Sequence, residues 1–306
     1  MTSELMDIRT VIVFGATGAQ GRPQVKELIK QGYNVKAVSR DANSLAHADF
    51  AGAEHVRADY ENVVQLQSAM EYVDAVFFQA PSMGAVDRVN RYAAAVRDAA
   101  KHAGVQLIIV NSSMWAPDEP IGQVTFDGVL AMEEIFRAGD VPVIVFRPTL
   151  FMSNLHGDWI KPNLRKGIYR YAHKPDLESD WIALEDVARF MVAALKRPDL
   201  IGRKIHIGGP QRLKTADVVA ILSDAIGRSL DYQYVTPRQF GEEFFELWGP
   251  GTGLQREDFV SGFDTFYTFN NEAPQKPFQA DVQAALALIP IELTDMRSWA
   301  KRQDWN

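Results

Sequence analysis

VIVFGATGAQGRPQV, from Val11 to Val25, joins a short apolar run to an amphipathic one through three glycines, Gly15, Gly18 and Gly21. An apolar run that passes into a segment of helical period reads as a buried strand followed by a helix. A tight turn at that junction needs a positive φ or a missing Cβ, and glycine supplies both. A second glycine lets backbone N–H groups approach a pyrophosphate, and a third lets the helix pack close to the sheet. The helix N-terminus then offers unpaired N–H groups and the positive end of its dipole to a phosphate. The spacing is G-x-x-G-x-x-G, a weak signal alone. Here it ends the first strand, opens a helix and begins a βαβ repeat, the context that gives it meaning. The stretch is read as a nucleotide-binding loop.

Outward from the loop, apolar runs alternate with helix-length segments. Strands are expected at 10–14, 34–39, 54–58, 73–80, 105–111 and 141–146. Helices are expected through 30, near 43–50 and 62–70, over 86–103 and near 124–138. Six apolar runs alternating with helices predict a doubly wound parallel α/β sheet, its strands apolar on both faces. After Arg147 the rhythm breaks into a loop-rich, aromatic stretch. Helices from Leu184 to Lys196, from Thr215 and over PRQFGEEFFELWG, a late strand in GRKIHIGG and a closing helix in ELTDMRSWAKRQDW follow. The expected division is a cofactor domain over 1–150 and a smaller C-terminal α+β substrate lobe over 151–306, partly returning to the sheet.

The composition bounds the function. The chain has 306 residues, 47% hydrophobic and 23% charged, the balance of an ordinary globular protein. A net charge of −7 argues against a nucleic-acid surface. No cysteine is present, which excludes disulfides, thiolate catalysis and Cys-ligated zinc. No metal-binding motif appears, so no metal is expected. The N-terminal residues lack the charge and apolar core of a signal peptide, and no apolar run approaches a membrane span. A cytoplasmic chain with no membrane or nucleic-acid partner is expected, and a homodimer stays open.

Position decides the nucleotide. A carboxylate ending the second strand would favour NAD. The chain has Ser39 and Arg40 there, and Arg40 offers a planar fork to a 2′-phosphate. Arg22 adds charge on the same side, while Asp41 stands one place late but stays a candidate to reach a ribose. NADP(H) is therefore favoured over NAD(H). Asp59 follows the third strand, where an adenine would lie or where a helix cap is needed.

GATGAQG, AVSRD, ADYEN, VTFDGVLAMEEIFRAGDVPVIVFRPTLFMSNL and LTDMRSWAKRQDW resemble the NmrA-like group of atypical short-chain dehydrogenases/reductases, over nearly the whole chain. The resemblance implies a Rossmann domain that prefers NADP(H), with a small C-terminal lobe. It implies Gly15, Thr17, Gly18, Gln20 and Gly21 at the pyrophosphate, Arg40 at the 2′-phosphate and Asp59 by the adenine. It also places Ala80 and Pro81 beside the cofactor, and Asn111, Ser112 and Ser113 near the nicotinamide.

Conventional members of that superfamily carry a Tyr-x-x-x-Lys pair for proton transfer. None of the nine tyrosines here has a lysine four residues on, and Val129 stands where the NmrA-like pattern often has one. Ser113 and Ser112 are the candidate hydrogen-bond donors to a substrate oxygen, against a bland role in the turn. Asp127 suits a first-turn helix role better than an acid. Tyr169 and Tyr171 are candidates to reach the site from the lobe, and His156 and His173 are weaker ones. Trp115, Phe126, Phe151, Met152 and Trp159 are the expected aromatic and apolar substrate pocket. A quinone, an activated alkene or an extended cation can accept hydride without a strong protein acid, by orientation and desolvation alone. The leading expectation is an NADPH-dependent reductase of a hydrophobic aromatic or quinone-like small molecule. The alternative is a non-catalytic NADP(H)-binding redox sensor acting through a protein partner.

Overall fold

Strand Thr10–Val13 (β1) runs into the glycine turn, and helix Gly21–Lys30 (α1) returns the chain to strand Asn34–Ser39 (β2). The same unit then repeats: Ala53–Arg57 (β3), Val63–Ala69 (α2), Ala75–Gln79 (β4), Val86–Ala103 (α3), Leu107–Asn111 (β5), Val124–Arg137 (α4) and Val143–Pro148 (β6). This computed structural model describes residues 6–41, 43–44, 50–80 and 85–305. Most of the helix expected near 43–50, and Pro81, lie outside them.

The second half contributes helix Lys161–Arg165 (α5), strands Ile168–Tyr171 (β7) and Glu178–Asp180 (β8), helix Leu184–Ala194 (α6) and strands Lys204–Ile207 (β9) and Arg212–Lys214 (β10). Thr215–Ile226 (α7), Asp231–Tyr234 (β11), Pro237–Thr252 (α8), Arg256–Glu272 (α9), Val282–Leu288 (α10) and Met296–Lys301 (α11) complete it. Seven strands form one parallel sheet in the order β3-β2-β1-β4-β5-β6-β9. The order reverses between β1 and β4, and at that switch the carboxyl ends of the strands open a crevice.

Burial follows from the sequence of these strands. Every residue of β4, β5 and β6 is buried, as sheets covered on both faces require. One face carries α2, α3 and α4 over Ile12, Val76, Ile108 and Val145. The other carries α1, α6 and α10 over Val11, Phe77, Ile109 and Ile205. Thus β9 completes the sheet, and α6 and α10 cover one face of it, although all three come from the second half. The rest of that half builds a third core around Leu155, Tyr169, Trp181, Leu222, Phe240 and Trp299. Two small sheets, β7 with β11 and β8 with β10, and the helix α9 were not anticipated by the sequence reading. The closing helix is shorter than expected, six residues.

His173 lies in that third core, stacked 4.1 Å from the Tyr171 ring and edge-on to Trp181 and Phe278. Burial pulls its pKa from 6.5 to about 3. The folded chain therefore keeps the ring neutral, while the unfolded chain protonates it below about 6.5. The unfolded state binds the extra proton, so this residue lowers stability as pH falls from 6.5 toward 3, by about 2 kcal/mol at pH 5. His173→Phe is expected to flatten the fall in melting temperature between pH 7 and pH 5. A slope identical to the parent's would remove His173 as its source.

Candidate cofactor and substrate site

The loop is shaped by what its glycines lack. Gly15 has φ +64°, and a Cβ on Gly21 would lie 2.3 Å from the Gly15 carbonyl oxygen and 2.7 Å from Ala16 Cα. The Gly18 N–H donates to the Gly15 carbonyl at 3.0 Å, so this amide closes the turn itself and is not free for a ligand. The N–H groups of Thr17, Ala19 and Gln20 have no acceptor among the described residues. They sit at the N-terminus of α1, where an anion is stabilised. From β4, the Gln79 side-chain amide donates to the carbonyls of Phe14 and Gly15, at 2.7 and 3.1 Å, and holds the turn against the sheet. Gln79 was not singled out from the sequence. A buried glutamine closing an apolar strand is the trace it leaves there.

Gln20 links the loop to the end of β5. Its side-chain oxygen accepts from Asn111 Nδ2 at 2.8 Å and from the Ser113 hydroxyl at 3.1 Å. Ser113 has a positive φ of 65°, and its N–H donates to Asn111 Oδ1 at 2.9 Å. The Ala80 N–H donates to the Asn111 carbonyl, and the Ala80 carbonyl lies 3.4 Å from the Ser113 hydroxyl. Ser112 differs. It is fully buried, with its hydroxyl on the carbonyls of Met114 and Phe146 at 2.7 and 3.1 Å. Its hydroxyl is committed to the backbone, although the residue still borders the cavity described below.

At the end of β2, Arg40 is exposed and has no carboxylate partner among the described residues. Ser39 Oγ accepts the Asp41 N–H at 3.2 Å. The Asp41 carboxylate takes the N–H groups of Asn43 and Ser44 at 3.0 and 3.2 Å, so it closes a turn. Arg22 turns back on the loop: its Nε donates to the Thr17 carbonyl at 2.9 Å, and its guanidinium lies 5.9 Å from the Phe50 ring centroid. The helix cap considered for Asp59 is instead Asn62, whose side chain accepts the Gln65 N–H at 3.0 Å. Asp59 Oδ1 accepts the Glu61 N–H at 3.0 Å.

A cavity of about 920 Å³ opens where the loop meets the lobe, touching Ala19, Gln20, Ala80 and Ser113. Trp115, Phe126, Phe151 and Trp159 line it. Met152 does not: it is packed into the third core, because the 3-10 turn Met152–His156 points it inward. Tyr171 lines the cavity, whereas Tyr169 is buried away from it. The opposite wall is the α8–α9 hairpin, through Phe244, Trp248, Phe259, Phe263, Phe266 and Tyr267. Phe126 of α4 stacks on Phe266 at 5.4 Å, and Trp115 lies 6.3 Å from Phe269. Val129 lines the floor, where no lysine is present. Asp127 accepts the N–H groups of Ile121 and Gly122 at 2.8 and 2.9 Å and ties down the segment before α4. His156 bonds the Asp304 carbonyl and packs on Trp305, so it closes the C-terminal segment. Among the described residues, no group of three or more His, Cys, Asp or Glu could hold a metal ion. Among them, too, no helix is long and apolar enough to cross a membrane.

A model of the NmrA-like family matches residues 7–293. The chain belongs to the NmrA-like family. It is 30% identical over 232 residues to the NAD(P)H azoreductase of Xenophilus azovorans, covering 75% of this chain and 78% of that protein. The NADPH-dependent quinone oxidoreductase QOR2 of Escherichia coli, solved with NADPH, superposes with a TM-score of 0.76 at 19% identity, covering 95% and 98% of the two chains. NmrA, a negative transcriptional regulator solved with NADP, superposes with a TM-score of 0.71 at 17% identity, covering 96% and 95%.

Two further features of this NmrA-like site escaped the sequence reading. The first is α9, whose aromatics at 259, 263, 266 and 267 recur at helical spacing. The second is a buried ion pair behind the Trp115 segment. Arg147 of β6 bonds Glu133 of α4 through Nε at 3.0 and 3.1 Å and Nη2 at 2.7 Å. The same guanidinium reaches the Pro117 carbonyl and Asp118, and so fixes the chain between β5 and α4.

Proposed function

We propose that this chain is an NADP(H)-dependent oxidoreductase that reduces a conjugated aromatic or quinone-like molecule, with the cofactor on residues 1–150 and the substrate lobe in 151–306. The observation that carries this reading is the aromatic cavity meeting the glycine loop at Ala19 and Gln20 and the end of β5 at Ser113. The residues present fit a dinucleotide. The loop closes as only a glycine at position 21 allows, N–H groups at the helix N-terminus have no acceptor among the described residues, and Arg40, with no carboxylate partner among them, would take the 2′-phosphate. The bound dinucleotide would supply hydride. Asn111 and Ser113, cross-linked through Gln20, would position its nicotinamide end, and Ser113 would turn its hydroxyl to an acceptor oxygen or nitrogen. The aromatic walls exclude water and orient the acceptor, which is where the rate enhancement lies when no strong acid is present. That the related azoreductase and the quinone oxidoreductase act on conjugated acceptors supports the reading.

One observation favours a second reading. Val129 and the missing Tyr–Lys pair leave no conventional proton donor, and NmrA itself is a regulator. In that case the chain binds NADP(H) and signals through a protein partner, with different affinities or shapes for the two redox forms.

The deciding experiment is a fluorescence titration with NADPH and with NADH, followed by addition of 1,4-naphthoquinone while the reduced-nicotinamide absorbance is read. Preference for NADPH with loss of that band is the expected result. Tight binding with a stable band across quinones, enones and azo compounds would favour the sensor. Arg40→Ala should weaken NADPH at least about tenfold and leave NADH nearly unchanged, since only NADPH carries the extra phosphate. Equal losses would remove the 2′-phosphate from Arg40.

A further inference from the structure

The buried and half-buried arginines of this chain are paired, with one exception. Arg147 holds Glu133, Arg97 holds Asp98, Arg170 holds Glu243, Arg189 holds Asp186 and Arg197 holds Asp199. Arg88, half-buried in the first turn of α3, has no carboxylate partner among the described residues. It is also the one cation among the described residues lining the large cavity. Among the described residues the one anion lining it is Asp258, exposed on α9, and the two form no ion pair. A half-buried guanidinium gives up part of its hydration, and the other buried and half-buried arginines of this fold each meet a carboxylate in exchange.

We propose that Arg88 is an anion anchor of the substrate site, and that the acceptor carries an anionic oxy group (sulfonate, carboxylate or phosphate) beside its conjugated body. This rests on the reductase reading for the word acceptor, but the binding claim stands apart from turnover. The planar fork of Arg88 can take two oxygens of such a group at once, in a cavity whose other walls are aromatic. The aromatic body then stacks against Trp115, Phe126 and Phe266, while the charge fixes which end of the molecule enters first. A neutral quinone or azo compound fills the same cavity without that registration.

The test uses redox-inert ligands, so that it does not depend on hydride transfer. Naphthalene-2-sulfonate, 2-naphthoate and 2-naphthyl phosphate are titrated against the neutral naphthalene-2-sulfonamide, with the full chain saturated in NADP+ and tryptophan fluorescence as readout. At least one anion should bind about tenfold or more tightly than the sulfonamide, and the rank of the three names the preferred group. Arg88→Met should erase that advantage, leaving sulfonamide affinity and NADPH affinity as they were. Unchanged sulfonamide binding also certifies that the variant cavity is intact. Equal binding of anions and sulfonamide by the parent chain overturns the proposal without needing any variant. So does a loss of NADPH affinity in Arg88→Met, which would give the arginine to the cofactor. Anion preference in a chain that never oxidises NADPH would refute the reductase reading and leave the anchor standing.

Discussion

Gly21→Ala should reduce NADPH affinity by about two orders of magnitude and lower the folding stability by about 3 kcal/mol. The new Cβ would lie 2.3 Å from the Gly15 carbonyl oxygen and 2.7 Å from Ala16 Cα, both backbone atoms that cannot rotate away. Relief requires α1 to move off the loop by roughly an ångström, and overpacking of this kind costs about 1–3 kcal/mol even where side chains can yield. A shift of that size at a phosphate-binding turn costs on the order of a hundredfold in function. Gly18 supplies the internal control. A Cβ there meets the Gly15 carbonyl at 3.2 Å and the residue does not have a positive φ, so Gly18→Ala should cost far less stability. Calorimetry and NADPH titration of the two variants check the order. Equal effects, or full NADPH affinity in Gly21→Ala, would show that the third glycine does not set the approach of helix to turn.

That loop was legible because its information is local. Three glycines at fixed spacing, an apolar strand before them and an amphipathic helix after them state the geometry within fifteen residues. The sheet was legible for the same reason: continuous apolar runs such as Ala75–Gln79 and Leu107–Asn111 have no other satisfactory environment. The helix Val86–Ala103 stops where Gly104 takes φ 72°, a signal also readable in place. The substrate side is different. Its far wall, α9, lies beyond the last residue of the helix expected over PRQFGEEFFELWG, and its aromatic stripe has meaning only against Phe126 and Trp115, more than a hundred positions earlier. Met152 and Phe151 are adjacent and equally apolar. Only the 3-10 turn that follows sends one to the core and the other to the cavity. Ser112 and Ser113 are likewise neighbours of one type. The positive φ of Ser113 turns its hydroxyl to Gln20, while Ser112 faces the backbone behind β5. Arg88 carries no motif at all, and what marks it is the absence of a carboxylate partner among the described residues, a property of the assembled fold alone.

Arg147 presents the same problem of distance, and its replacement should have the second large effect. Arg147 and Glu133 are essentially inaccessible to solvent, on a strand and a helix that meet only in the folded chain. Burial raises the Glu133 pKa, and the Arg147 hydrogen bonds and charge oppose that rise. Arg147→Met removes the opposing interaction and strands a carboxylate in the core, at a cost of about 3–5 kcal/mol at pH 7. In the variant, folded Glu133 would hold its proton at a pH where the unfolded chain has released it. The folded state then binds the extra proton above the ordinary carboxylate pKa of 4.5, so the deficit against the parent shrinks as pH falls toward that value. The double variant Arg147→Met, Glu133→Leu should recover most of the stability, because a packed apolar pair does without the desolvation of two charges. It should not recover the position of the Trp115 segment, since the guanidinium also holds the Pro117 carbonyl and Asp118. Denaturant melts at pH 7 and pH 5, read with the affinity for naphthalene-2-sulfonamide, separate the two roles. If Arg147→Met melts like the parent at pH 7, the pair contributes no stability. If the double variant restores ligand affinity along with stability, the arginine has no part in positioning the cavity wall.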